Sequence, residues 1–196
     1  TQLFVKSYSH TDCQHTSLRR THFIHRLRPR YAYKEGHAYL NYLAKGILTP
    51  APVAFGEEWT MGVRNRGLIV TEAIDAPTVQ ACLAQPGGDR WFCKAFDMLQ
   101  AIHAAGLTHG DANLVNFLAR EDDVIAIDLE NARQITPKKQ QSDLVNVLKS
   151  YFLVHAETQA ALDCLQRYTA SGLTLPIPAP ELVDLGQRKA DKYRDS

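Results

Sequence analysis

Apolar positions fall into two regimes along the chain. Up to about residue 72 they come in short runs separated by polar turns, and beyond about residue 76 they recur mostly at helical spacing. Leu3, Phe4 and Val5 form a run broken by Lys6, which predicts a strand over 3–8. Residues 31–45 place Tyr31, Ala38, Leu40, Tyr42 and Leu43 near helical spacing, with Gly46 set to end the helix. Pro50 and Pro52 hold 47–53 extended, because the residue before a proline is steered out of the helical region. Residues 53–55 and 68–71 read as two strands joined by a polar turn containing Gly62, Asn65 and Gly67.

The second regime opens with an amphipathic helix over 89–105. Trp91, Phe92, Ala95, Phe96, Leu99 and Ile102 share one face, and Gly106 ends it. Between 107 and 130 short apolar runs alternate with turns, and a hairpin turning at Glu121-Asp122-Asp123 is expected. A helix over 143–155 follows with Ser142 as its N-cap, then after a bend a helix to 168, an extended segment at Pro176, Pro178 and Pro180, and a polar helix over 181–195. Strands segregated before helices predict an α+β fold in two lobes, residues 1–75 and 76–196.

Composition narrows the class. Apolar residues make up 45% of the 196, enough for a sizeable core, and 22% charged residues exclude a disordered or fibrous chain. A formal charge of +1 excludes a globally basic nucleic-acid binder. It conceals a one-sided block, however: Arg19, Arg20, Arg26, Arg28, Arg30 and Lys34 all precede the acid Glu35, making a local surface that attracts anions. No apolar run approaches the ~20 residues that span a bilayer, and no secretory pattern opens the sequence. Cys13, Cys82, Cys93 and Cys164 form no C-x-x-C pair, so reduced thiols in a cytoplasmic compartment are expected. Cys13 and His15 with His22 and His25 read as a polar loop rather than a zinc site, because the flanking arginines repel a cation.

The informative stretch is His109-Gly110-Asp111-Ala112-Asn113-Leu114-Val115-Asn116, followed by Ile127-Asp128-Leu129. It offers an Asp, an Asn five residues later and a second Asp twelve residues after that. Phosphoryl transfer from a nucleotide needs this set. One carboxylate orients and deprotonates an acceptor hydroxyl, while an amide oxygen and a second carboxylate hold Mg²⁺ against the phosphates. Hard oxygen donors suit that ion. The hairpin at Glu121-Asp122-Asp123 would bring Asn116 and Asp128 to the same end.

On these residues the sequence resembles the protein-kinase-like superfamily. Within it, residues 3–155 are most similar to the bacterial lipopolysaccharide kinases that phosphorylate core sugars, heptose or Kdo. The resemblance implies a bilobal protein-kinase-like fold, with a small β-rich lobe shortened at its N-terminus and a mainly helical second lobe. It implies Asp111 as the catalytic base in a loop over 109–116, and Asn116 and Asp128 (segment 127–130) as ligands of Mg²⁺. Lys6 would contact the phosphates of ATP and pair with Glu35, with Glu57 and Glu58 as competing partners. The strand ending at Glu72 would offer backbone groups to the adenine edge. His109 would brace the loop, and Asp143 would hydrogen-bond its backbone. The acceptor would be lipopolysaccharide core, and the basic segment 19–34 would attract both that anionic acceptor and the cytoplasmic face of the inner membrane.

Departures from the pattern refine the expectation. Gly110 stands where many protein kinases carry Arg, so a phosphorylated activation loop would find no arginine there. Ser142 follows Asp128 by only fourteen positions, leaving little room for a peptide-docking platform. Only five residues precede Lys6, too few for a Gly-rich phosphate-covering loop. Two other readings stay open. One is a soluble phosphotransferase of the aminoglycoside or choline kinase type, and the other a nucleotide-binding pseudokinase.

Overall fold

The computed structural model describes residues 2–9, 31–60 and 63–195. Arg19, Arg20, Arg26, Arg28 and Arg30, the Cys13, His15, His22 and His25 group, and Gly62 lie outside the described residues.

Strands β1 (Leu3–Ser9), β2 (Pro52–Thr60) and β3 (Val63–Glu72) form an antiparallel sheet in the order β1-β3-β2. Val5 lies opposite Val70, and Phe55 opposite Ile69. β2 and β3 are longer than their apolar cores at 53–55 and 68–71, because polar residues continue the ladder. Gly67 is therefore not in the turn but inside β3, paired with Tyr8 and Glu57. A Cβ there would stand 3.0 Å from the Ala32 Cβ, so this glycine marks the close approach of a helix to the sheet.

That helix is α1 (Ala32–Ala44), and it turns Glu35, Tyr39 and Tyr42 inward at helical spacing. It ties the sheet to the second lobe. The Tyr42 hydroxyl donates to the Thr108 carbonyl at 3.1 Å. Just beyond it, the Thr49 hydroxyl donates to the Ala126 carbonyl at 2.7 Å, and the Leu48 carbonyl accepts from the Ala126 N–H at 3.0 Å.

The remainder is mainly helical: α2 (Val79–Leu83), α3 (Asp89–Ala104), α4 (Pro137–Phe152), α5 (Gln159–Ala170) and α6 (Ala179–Arg194). Between α3 and α4 run β4 (Leu107–Thr108), the hairpin β5 (Phe117–Arg120) with β6 (Asp123–Ala126), and β7 (Arg133–Gln134), which pairs with β4. Phe92, Phe96 and Leu99 of α3, Leu144, Val147 and Tyr151 of α4, and Leu165 and Tyr168 of α5 fill the core. The α3 and hairpin expectations hold, with the turn at Glu121 and Asp122 between Arg120 and Asp123.

The start of α4 differs from the expectation. It begins at Pro137, with the Thr136 hydroxyl accepting from the Lys139 N–H at 3.4 Å, and Ser142 lies inside the helix. Thr136-Pro137 is an N-cap followed by a first-turn proline, a signature that the charged run after it obscured. Asp143 is consequently not a first-turn residue but is held fully buried in the second turn. The later helices begin at Gln159 and Ala179, the second close to the expected 181.

Across the α3–α5 contact, Cys93 Sγ and Cys164 Sγ stand 3.5 Å apart, and Arg167 donates to Cys164 at 3.3 Å. The hydrogen bond from Cys164 outweighs partial burial and, with the charge of Arg167, brings the Cys93 thiol down to about 7. Cys82 and Cys164 are buried. Raising the pH through 7 converts Cys93 to the reactive thiolate. Iodoacetamide should therefore modify Cys93 before Cys82 and Cys164, with a half-maximal rate near pH 7 rather than at the ~8.5 of a free thiol, as read by mass spectrometry of its peptide. Cys93 and Cys164 alkylating at equal rates would contradict this.

Candidate active site

A cleft of about 410 Å³ opens between the sheet and the β5–β6 hairpin. Lys6, Glu35, Glu72, Asn116 and Asp128 all line it. Its apolar walls are Phe4, Pro50, Ile74, Leu118 and Ile127.

On the sheet side, β1 projects Lys6 toward α1. Its ammonium lies 3.3 Å from Glu35, 2.5 Å from Asp128 and 3.7 Å from Glu130. Burial opposes its charge, but the hydrogen bond to Asp128 and the three nearby carboxylates prevail and hold its pKa above the ordinary lysine value. Glu35, 1% exposed, is the acid that meets Lys6. It also accepts from the hydroxyls of Tyr8 and, at 3.2 Å, Tyr39. Burial, followed by the charge of Glu35, keeps the Tyr39 phenol protonated by pushing its pKa up. That same phenol accepts from the Asp128 N–H at 3.1 Å, so Tyr39 fastens the Asp128 segment to α1.

On the opposite side, β5 and β6 deliver Asn116 and Asp128 to one end of the hairpin, where the Ile127 N–H donates to the Asn116 carbonyl at 3.0 Å. Asp128 sits at φ 59° and ψ 57°. That left-handed conformation is uncommon for residues other than Gly, Asn and Asp, and residues held in it cluster at functional sites. Asn116 commits its Nδ2 to Asp111, at 2.9 Å to the backbone carbonyl and 3.2 Å to Oδ2. This leaves the Asn116 Oδ1 as the atom it can offer a cation.

Asp111 is the third corner. The other carboxylate oxygen, Oδ1, accepts from Asn113 Nδ2. The backbone just before it is anchored from below: Asp143 accepts from the His109 N–H at 2.8 Å and the Gly110 N–H at 2.9 Å, and lies 3.3 Å from His103 Nε2. Gly110 has φ 85°, and a Cβ there would collide with the Asn131 carbonyl. Backbone geometry thus explains the glycine that replaces the usual Arg. His109 is fully buried beside Phe117, and burial lowers its pKa, so its imidazole is neutral packing and not an acid.

Each site residue expected from sequence therefore lies in the cleft or, for Asp111, at its edge through Asn116. Glu57 and Glu58 belong to β2, which β3 separates from the strand carrying Lys6, so Glu35 takes the lysine. At Glu72 the backbone N–H is already taken by the Ala51 carbonyl at 2.9 Å, and that of Ala73 by Gln2 at 3.0 Å. Sequence reasoning missed Tyr39 as the bridge and Glu130 as the third carboxylate facing Lys6. Glu130 was legible only as two positions beyond Asp128, where burial raises its pKa against the pull of Lys6.

The carboxylates of Glu35, Asp128 and Glu130 bring one oxygen each within 4.8 Å of one another. All three face the Lys6 ammonium, and the Asp128 carboxylate and Asn116 Oδ1, hard oxygen donors lining the same cleft, fit a magnesium ion.

A small antiparallel sheet with one internal helix, a helical second lobe, and a lysine–glutamate pair facing an Asp/Asn/Asp set across the cleft define a protein-kinase-like phosphotransferase. The sequence matches the Lipopolysaccharide kinase (Kdo/WaaP) family over residues 3–171, and the chain belongs to that family and is a kinase. Solved structures with the same fold include WaaP in complex with acyl carrier protein, at 22% identity and TM-score 0.63, over 82% of this chain and 76% of that one. The bifunctional kinase–methyltransferase WbdD also aligns, at 18% identity and TM-score 0.56, over 97% of this chain but 41% of that one. No curated protein sequence gives a significant match. Among the described residues no helix is long and apolar enough to cross a membrane.

Proposed function

We propose that this kinase moves the γ-phosphate of ATP, with Mg²⁺, to a heptose or Kdo hydroxyl of lipopolysaccharide core. The observation that carries the reading is the convergence of Asp111, Asn116 and Asp128 on the side of the cleft facing the Lys6–Glu35 pair. Phe4, Leu118 and Ile127 give the cleft apolar walls suited to a planar base, and the segment 72–74 at its back supplies the polar edge. Since the N–H groups of Glu72 and Ala73 are engaged, the base must be read by other backbone groups of that segment.

Lys6, held by Glu35, neutralises phosphate oxygens. Asn116 Oδ1 and the Asp128 carboxylate would hold the metal, which when bound supplies charge neutralisation between the phosphates. Asp111 orients the acceptor hydroxyl in line with the γ-phosphate and accepts its proton as the phosphorus–oxygen bond forms. Such positioning supplies most of the catalysis in a loose transition state. The basic segment 19–34 would draw the anionic acceptor and place the enzyme on the cytoplasmic face of the inner membrane.

The test is transfer of radiolabelled γ-phosphate to purified lipopolysaccharide core acceptors ending in Kdo or heptose, with an aminoglycoside and choline as controls. Label in the sugar, dependent on Mg²⁺, is expected. Label in the controls alone would support the second class of small-molecule phosphotransferase.

A further inference from the structure

We propose that Lys149 is a positioning residue for Asp111, acting by fixing which way the Asn113 side-chain amide faces. The inference rests on the reading of Asp111 as the base.

Lys149 lies on α4, outside the catalytic segment, and is 7% exposed. Burying a lysine is costly unless the ammonium is used. Here Nζ donates to Asn113 Oδ1 at 2.6 Å and stands 4.6 Å from the ring centre of Tyr193 on α6. Its neighbour Lys189, also on α6, donates to Asn146 Oδ1 at 2.6 Å. Burial and then the charge of Lys189 lower the Lys149 pKa, while Asp111 pulls it back up, so the ammonium lies within the field of the base.

The chemistry of the contact is one-sided. An ammonium carries three donors and no acceptor, whereas an asparagine amide has one oxygen end and one nitrogen end that are nearly the same shape. Facing Lys149, Asn113 must present Oδ1, and this turns Nδ2 onto Asp111 Oδ1. Asn116 Nδ2 holds the other oxygen, Oδ2, at 3.2 Å. Both carboxylate oxygens are thus gripped by amide donors, and the rotation of the Asp111 carboxyl is set. Without Lys149 nothing holds the Asn113 Oδ1, the amide is free to swing away from Asp111, and the carboxylate loses its aim at the acceptor hydroxyl. Neither Lys149 nor Asn113 lines the nucleotide cleft, which this arrangement meets only through Asn116.

Steady-state transfer to a lipopolysaccharide core acceptor by the full chain, with thermal melting alongside, tests it. Lys149→Met should lower kcat by roughly 10- to 100-fold with KM for ATP unchanged, the size of effect expected from a misaimed reacting group. Lys149→Arg, still a pure donor, should recover most of kcat. Asn113→Ala should cost a similar factor, and adding Lys149→Met to it should cost nothing further, since both act through one amide. The proposal is overturned if Lys149→Met keeps kcat within about two-fold of wild type, if Lys149→Arg restores the melting temperature but not kcat, or if the losses of the two variants multiply. Should Lys149→Met fail to fold, Asn113→Ala decides alone: wild-type kcat in that variant overturns the proposal. Wild-type transfer by Asp111→Ala instead removes the underlying assignment of the base. An inactive Asp111→Ala beside a fully active Lys149→Met removes only the role given to Lys149.

Discussion

Asp111→Ala will reduce phosphoryl transfer by about 10²- to 10⁴-fold, the usual worth of a positioned general base, and leave binding of Mg·ATP close to wild type. The separation follows from the geometry. Asp111 faces the cleft through Asn116 and Asn113, and its carboxylate makes no contact with Lys6 or Asp128 among the interactions of the described residues. Removing it takes away the group proposed to aim the acceptor hydroxyl and receive its proton, while the cleft proposed for the nucleotide keeps Lys6, Glu35, Asn116 and Asp128. Isothermal titration with a non-hydrolysable ATP analogue reads the binding half, and labelled transfer reads the chemical half. Transfer at the wild-type rate would show that another group is the base.

Asp128→Ala is expected to fail earlier in the cycle, at binding. The substitution removes the carboxylate proposed to ligate the metal and also the nearest counter-charge of Lys6, at 2.5 Å. Lys6 then pairs with Glu35 and Glu130 alone, at 3.3 and 3.7 Å. Nucleotide affinity should drop by more than about 100-fold in the presence of Mg²⁺, beyond what loss of a group merely supporting a ligand costs. It should drop far less in its absence, so the variant loses the metal dependence of binding. Titration with and without the ion checks this, and a variant that still binds nucleotide more tightly with Mg²⁺ would contradict the role given to Asp128. The backbone at Asp128 adds a control. At φ 59° an Asp128→Asn change keeps the conformation while weakening the ligand, so its loss reports charge rather than strain.

Much of this site was legible because its parts are local. Asp111, Asn116 and Asp128 lie within eighteen positions joined by a hairpin, and alternating apolar runs with an acidic turn specify a hairpin whose open end gathers them. Lys6 and Glu35 required more, since pairing across 29 positions depends on β1 docking against β3 and α1 crossing the sheet. Family resemblance supplied that link, not periodicity. The helix α4 shows the limit of patterning: polar Lys138, Lys139, Gln140 and Gln141 hid its first turn, and its true start is marked only by Thr136-Pro137. Tyr39, Glu130 and Lys149 escaped because a tyrosine, a glutamate and a lysine on helical turns look like ordinary residues until tertiary packing sets them against Asp128, Lys6 and Asn113. Gly67 was misread for a related reason. Glycine signals a turn in sequence, and only the packing of Ala32 reveals that it signals clearance instead.

The ammonium of Lys6 stands closer to Asp128 than to Glu35. One ammonium thus serves as the counter-ion of three carboxylates from two parts of the chain, Glu35 on α1 and Asp128 and Glu130 beyond the hairpin. Those three carboxylates crowd within 4.8 Å of one another and would repel without it. Lys6 is therefore also a clasp between the sheet side of the cleft and the hairpin side, a structural duty separate from any contact with a ligand.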